Sequence, residues 1–397
     1  VAALVADSGA GGTHAAPVHG GDVLAAARRW GLNPAEILDF SANINPAGPP
    51  PGVLARVQEA LAGIRHYPEP YARTLREVIA KRHGVAPENV LVANGASEAI
   101  YLLARLSAGR RVAVPAPGFA EYARAAAAVG AKVVAYPAEP RLPAAPVSSA
   151  PSQPSAALRA PAGPEPAAAV VSQLVDLPGL PLASAQRLQA GDLLILCNPH
   201  NPTGRLLSPA EVLHLADLTE ATVVVDEAFI DLTDPGEAAS VLPWVEQRPN
   251  LVVLRSLTKF YAMPGLRVGY AVAAAELVAQ LDRARDPWSV GSLAQVAALA
   301  ALEDVEYAAR TRKWIGQERP FLAEALSRLP GYEVAPPSAN FILVRGPVPI
   351  WTLQERLGPK GILVRDCRSF AGLTDRHMRL AVRSRAENLR LLEALAE

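Results

Sequence analysis

The stretch LRSLTKFYAMPGLRVGY, residues 254–270, is the most informative part of the chain. It grows out of an apolar, strand-like run (LVVLRS, 251–256) and sets Ser256, Thr258, Lys259 and Arg267 within a short span. A lysine amine forms an imine with an aldehyde only when it is unprotonated, and burial or neighbouring cations lower its pKa enough for that. Ser256, Thr258 and Arg267 are the donors a phosphate group wants, and arginine suits a two-point grip. A lysine after a strand is most often a solvated strand end, so the meaning of this one depends on its surroundings.

Upstream lie further strand candidates: NVLVANG (89–95), RVAVP (111–115), AKVVAY (131–136), LLILCNP (193–199) and TVVVDEA (222–228). Downstream, LRVGYAVA (266–273) is another. Several are almost unbroken Val/Ile/Leu, the pattern of strands covered on both faces. Helical stretches alternate with them, which predicts an α/β fold with a largely parallel central sheet. The predicted division puts the large domain at 46–285 and a smaller α+β domain at 286–397. Short strands are expected there at 340–345, 362–366 and 379–382. Residues 19–45 should join the small domain, beginning with a helix in GGDVLAAARRWG that Gly31 ends.

Three further motifs bear on chemistry. Asp226 ends the run TVVVD, where a carboxylate is costly unless paired; it either caps the next turn or holds a cation. NPHNPTG (198–204) is a proline-rich turn whose Asn201 amide is either turn chemistry or a donor. ANGASEA (93–99) opens a helix whose first N–H groups, at Gly95, Ala96 and Ser97, suit a phosphate.

In this order, and with SLTK followed eight residues later by arginine, the motifs resemble the pyridoxal 5′-phosphate (PLP)-dependent aminotransferase family of fold type I. The resemblance runs from about His19 to the C-terminus, interrupted near 137–190. It implies PLP bound as a Schiff base to Lys259, with Asp226 on the pyridine nitrogen and Asn201 on the phenolic oxygen. It assigns phosphate contacts to Ala96, Ser97, Ser256, Thr258 and Arg267, and ring stacking to Phe119 of PAPGFAEY. Tyr67, in HYPEP, matches a tyrosine reaching the phosphate across a dimer interface, so a homodimer is implied. The family usually has tyrosine after the DEA motif; this chain has Phe229, so a second phenolic donor is missing.

Within the family the resemblance divides between histidinol-phosphate aminotransferases and the L-threonine-O-3-phosphate decarboxylases of cobalamin synthesis. The decarboxylases match better, through HGGDVLAAARRWG, LDFSANINPAGPP, DEAFIDL, DPWSV and LVRDCRSFAGLTDRHMRLAVRS. This implies a small phosphorylated amino-acid substrate. Anion binding falls to Arg365 and Arg379, with His19, Gly20, Asn43 and Asn201 completing the substrate site.

Bulk composition limits the remaining readings. Lys+Arg and Asp+Glu number 38 each, so net charge offers no reason to expect a nucleic-acid or anionic-membrane partner. A DNA-binding regulator built on such a domain would carry an appended N-terminal segment, and about 18 residues precede the enzyme-like region. Two cysteines, Cys197 and Cys367, exclude a disulfide scaffold, and no Cys/His spacing suggests a metal. No signal peptide or apolar run of about 18–20 residues is evident, so a cytoplasmic location is expected. Residues 1–18 read as a frayed tail. Residues 137–166 hold nine of the 37 prolines and read as a disordered surface insertion.

Overall fold

The computed structural model describes residues 19–138 and 185–397; the tail over 1–18 and nearly all of the 137–166 insertion lie outside the described residues. Strand β1 is Leu38–Asp39, and β2 (Val90–Ala93), β3 (Arg111–Ala116) and β4 (Lys132–Pro137) follow. Then come β5 (Leu193–Cys197), β6 (Thr222–Asp226), β7 (Leu251–Ser256) and β8 (Gly269–Val272). Strands β2 to β8 form one sheet in the order β2-β8-β7-β6-β5-β3-β4.

The unbroken apolar runs have a direct physical reason. Successive side chains leave opposite faces of a strand, and both faces of this sheet are covered. Leu194, Val223 and Val253 enter one buried cluster, while their neighbours Ile195, Val224 and Val252 enter another. Each such side chain contributes roughly 1.5–3 kcal/mol on burial, so an unpaired charge at either face would disrupt the sheet; Arg255 of β7 is buried, but paired with Glu227 and Glu237.

The sheet is mixed rather than wholly parallel: β8 runs antiparallel to both β2 and β7. The connection from β7 to β8 holds one helical turn, Leu257–Phe260, and a 3-10 turn, Pro264–Leu266. That is too little chain for a crossover helix, so the strand turns straight back. Lys259 lies in this turn, at the edge of the sheet.

In the C-terminal part, β9 (Glu333–Val334), β10 (Phe341–Arg345), β11 (Ile362–Leu363), β12 (Arg365–Asp366) and β13 (His377–Ala381) follow. Four of these make an antiparallel sheet, β12-β13-β10-β9. The single strand expected over 362–366 is two short ones, because β11 pairs in parallel with β1 while β12 pairs with β13. That split lets Phe40, fully buried beside Ile342 and Leu380, tie the N-terminal segment to the C-terminal core. Among the described residues, no helix is long and apolar enough to cross a membrane and no His/Cys/Asp/Glu group has metal-site geometry.

Candidate active site

Strands β2, β3, β5, β6 and β7 point the same way, and their carboxyl ends open into one cleft of about 550 Å³. Ligands of open α/β sheets bind at such an edge. Ala96 and Ser97 reach it from the start of the helix Gly95–Leu106, Phe119 from the turn after β3, and Asn201 from the turn after β5. Asp226 ends β6, Ser256 ends β7, Thr258 and Lys259 follow, and Arg267 precedes β8. His19, Gly20, Asn43, Arg365 and Arg379 close the other side. Every residue singled out from the sequence is therefore in the cleft except Tyr67. Tyr67 is 81% exposed, its ring 4.9 Å from that of Trp288.

Lys259 Nζ donates to Thr258 Oγ1 at 2.9 Å, and that hydroxyl lies 2.7 Å from Ser256 Oγ. Burial pulls the lysine pKa down to about 8, Arg267 and Arg379 push the same way, and Asp226 opposes them. The turn is held from outside by Asn45, which donates its backbone N–H to the Lys259 carbonyl (3.2 Å) and its amide to the Phe260 carbonyl (3.0 Å).

Asp226 is buried with both oxygens engaged: Oδ2 accepts from the Tyr122 hydroxyl at 2.7 Å and Oδ1 from the Ala228 N–H at 3.0 Å. Burial raises its pKa, and the two hydrogen bonds and Lys259 pull it back. The Tyr122 hydroxyl is itself pushed well above 10, by burial first and then by Asp226, so it stays a donor. Tyr122 follows Phe119 by three residues, and their rings meet edge to face at 5.5 Å.

The helix start at Gly95 is shaped for close approach. A Cβ on Gly95 would stand 2.4 Å from Arg267 Nη2, and one on Gly269 would stand 2.7 Å from the Ala96 nitrogen. Glycine at both places lets the guanidinium and β8 touch the helix end, where free N–H groups and the helix dipole favour an anion. Arg267 takes φ +24°, a strained value for a residue with a side chain, and donates to the Pro264 carbonyl at 3.2 Å.

On the other side, Arg365 and Arg379 are direct cross-strand partners. Like charges so placed repel. Arg379 donates to Asn201 Oδ1 at 2.6 Å and to the Ser41 carbonyl at 2.7 Å, both neutral acceptors. Its buried Nε has no partner, and among the described residues it makes no ion pair. Burial lowers its pKa to about 10. Arg365, whose pKa burial also lowers, donates to Ser369 Oγ at 2.8 Å and lies 5.2 Å from the Phe370 ring. Because Asn201 Oδ1 is taken by Arg379, the amide hydrogens of Asn201 remain for another acceptor.

The N-terminal segment lines this side. A Cβ on Gly20 would collide with the Ser41 carbonyl oxygen at 2.3 Å, and Gly21 N–H donates to Ser41 Oγ at 2.7 Å. His19 Nε2 lies 3.0 Å from Glu121 Oε1, its ring 6.0 Å from that of Phe119. Asn43 Oδ1 is buried without a hydrogen-bond partner.

The sequence reading passed over Tyr122, Asn45 and Ser41. The first had a signal: three residues along a helix from Phe119, it shares that residue's face. The other two act through contacts more than 200 residues distant in the chain, which no local pattern reveals.

A model of the family described as aminotransferase class I and II matches residues 35–146 and 172–395. The chain belongs to this family. Its members are PLP enzymes, and PLP is the cofactor here. The chain is 36% identical over 381 residues to the threonine-phosphate decarboxylase of Salmonella typhimurium, covering 95% of each. It is also 36% identical over 372 residues to the histidinol-phosphate aminotransferase of Symbiobacterium thermophilum, covering 93% of this chain and 91% of the relative. The family fold is seen in the crystal structure of L-threonine-O-3-phosphate decarboxylase from Porphyromonas gingivalis, at TM-score 0.72 and 30% identity, covering 90% and 97% of the chains. The histidinol-phosphate aminotransferase of Clostridium acetobutylicum has TM-score 0.74 at 28% identity, covering 91% and 98%. A PLP-dependent class I enzyme is the common ground.

Proposed function

We propose that this chain decarboxylates L-threonine O-3-phosphate to (R)-1-amino-2-propanol O-2-phosphate, the aminopropanol linker of cobalamin. The observation that carries the proposal is the pair Arg365 and Arg379. They are two desolvated cations in cross-strand register, and the hydrogen-bond acceptors of Arg379 are neutral. A short substrate bearing a carboxylate and a phosphate is the ligand whose charge this pair of cations complements. The HGG segment lining the cleft and the phenylalanine at 229 favour the decarboxylase branch over its aminotransferase neighbours.

The residues present fit the cofactor. Buried Asp226 suits the protonated pyridine nitrogen, the open amide of Asn201 the phenolic oxygen, and Phe119 the face of the ring. The Ala96–Ser97 helix start, Ser256, Thr258 and Arg267 suit the phosphate. Phe229, packed edge to face on Phe341 at 5.1 Å, offers no second phenol. When bound, PLP supplies an electron sink for the pair left on the substrate's alpha carbon as a bond there breaks. The protein decides which bond. The two arginines, with Asn43 and Gly20, would hold the substrate carboxylate so that its bond to the alpha carbon is the one that breaks; the carboxylate would leave as carbon dioxide, its bonding pair staying on the alpha carbon, to which Lys259 would deliver a proton. The assignment predicts carbon dioxide from threonine phosphate. It is wrong if purified holoenzyme instead makes glutamate from histidinol phosphate and 2-oxoglutarate without releasing carbon dioxide. The equal identity to a histidinol-phosphate aminotransferase makes that the second reading.

Two predictions follow from the cofactor side. A lysine held near 8 is half unprotonated there, so the rate at which apoprotein captures PLP should rise with pH to a midpoint at about 8, not 10.5. Stopped-flow absorbance checks this. Tyr122→Phe removes a charge-assisted hydrogen bond from Asp226, worth roughly 1.5–3 kcal/mol. The PLP dissociation constant should rise by about 10- to 150-fold, as read by dialysis and cofactor fluorescence. We further propose a homodimer in which exposed Tyr67 meets the partner's cofactor phosphate. Sedimentation of the holoenzyme as a monomer at micromolar concentration would remove that idea.

A further inference from the structure

We propose that His200 is a positioning residue that fixes the Asn201 turn to the Phe119 turn, and so sets the register between the cofactor's edge and face contacts. This rests on the roles given above to Phe119 and Asn201. His200 is buried behind the cleft, in the middle of NPHNPTG. Its Nε2 lies 3.0 Å from the Pro117 carbonyl oxygen, and its Nδ1 lies 2.7 Å from Thr203 Oγ1. A carbonyl only accepts, so Nε2 carries the proton and Nδ1 accepts from the Thr203 hydroxyl. Thr203 Oγ1 in turn accepts from the Arg205 N–H at 3.4 Å, consistent with that direction. Burial holds the ring neutral, with its pKa down at about 4, so one donor and one acceptor persist across the working range.

The chain of contacts is short. Pro117 stands two residues before Phe119, and His200 one residue before Asn201. The His200 backbone closes its own turn, accepting from Gly204 N–H and donating to the Arg205 carbonyl, both at 2.7 Å. Gly204 then accepts from Ser338 N–H at 3.2 Å, and Asn201 Oδ1 accepts from Arg379. The imidazole therefore joins the loop beneath the ring-stacking aromatic to a turn already locked to the substrate arginine. Two loops with this link keep one mutual geometry; without it each is free to settle separately.

The two hydrogen bonds separate by substitution. A glutamine amide reaches the place of Nε2 and keeps the Pro117 link while losing the Thr203 one. An asparagine amide sits near Nδ1 and does the reverse. His200→Gln should therefore hold PLP within about threefold of the parent. His200→Asn should lose roughly tenfold in PLP affinity, the scale of one buried hydrogen bond, and its bound-cofactor absorption maximum should shift. Thr203→Val should behave like His200→Gln. Thermal melting of the holoenzymes, run in parallel, separates positioning from general destabilisation. If the Asn and Gln variants show equal cofactor affinity and unshifted spectra, the inference fails. Phe119→Leu serves as control: if that variant leaves the cofactor spectrum unchanged, Phe119 does not touch the ring, and the failure lies in the site assignment instead.

Discussion

Replacing Arg379 by methionine should lower kcat/KM for threonine phosphate by about 30- to 5,000-fold, the effect of roughly 2–5 kcal/mol lost with one partner of a buried charge pair. Its cation is buried, its hydrogen bonds go to the neutral Asn201 and Ser41 oxygens and it lies 5.7 Å from the Phe341 ring, so an anionic substrate adds the ion pair these contacts do not make. The free protein therefore carries a cost that the complex recovers. Removing the charge should leave the holoenzyme's melting temperature within a few degrees of the parent, because the lost hydrogen bonds are offset by relief of an uncompensated cation. Inorganic phosphate should raise the parent's Tm by linkage and raise the variant's much less. A variant that lost activity and stability together, with the phosphate effect intact, would make Arg379 a structural residue. Lysine at 379 should recover little, since it cannot bridge Asn201 and Ser41 while gripping an anion at a second point.

The residues proposed to hold the cofactor could be picked out of the sequence because each lies at the end or start of a recognisable element. Asp226 closes a run of valines, Lys259 follows another strand, and Ala96–Ser97 open a helix. In a sheet whose strands run parallel, such strand ends converge whatever the loops do. The residues proposed to hold the substrate were indicated only by family resemblance. Arg365 and Arg379 sit in short strands whose partners are set by tertiary pairing, and one of those strands was misjudged as continuous. The break at Val364 exists because β1, some 320 residues upstream, takes one half of it. No window of sequence contains that information. The reversal of β8 was open to inference from the brevity of its connection, yet its apolar run resembles those of its parallel neighbours. Tyr122 and His200 went unremarked because a tyrosine in a helix and a histidine in a proline-rich turn are ordinary locally. Their significance is the atom each meets, Asp226 Oδ2 in one case and the Pro117 carbonyl in the other.

Lys259→Ala should abolish covalent retention of PLP and reduce carbon dioxide release by at least about 10³-fold, near the upper part of what a positioned acid–base group contributes. The two losses have one cause in a single amine that is buried, lowered to about 8 and held by Thr258 Oγ1, on a backbone whose carbonyl is held by the Asn45 N–H. Borohydride treatment followed by mass measurement should add the cofactor's mass to the parent and nothing to the variant. Lys259→Arg is the sharper comparison. It keeps the positive charge that balances Asp226, so folding and reversible PLP binding should survive. An arginine does not deprotonate in a protein, however, so it can neither bond to the aldehyde nor pass a proton. If Lys259→Arg retained more than about a tenth of the parent's rate, Lys259 would be a charge in this site and not a reagent. If it fell as far as alanine while still binding PLP, the lowered pKa would be what makes the residue work. That pKa depends on depth in the fold first and then on the charge of Arg267, whose guanidinium has room beside the helix start because residue 95 is glycine.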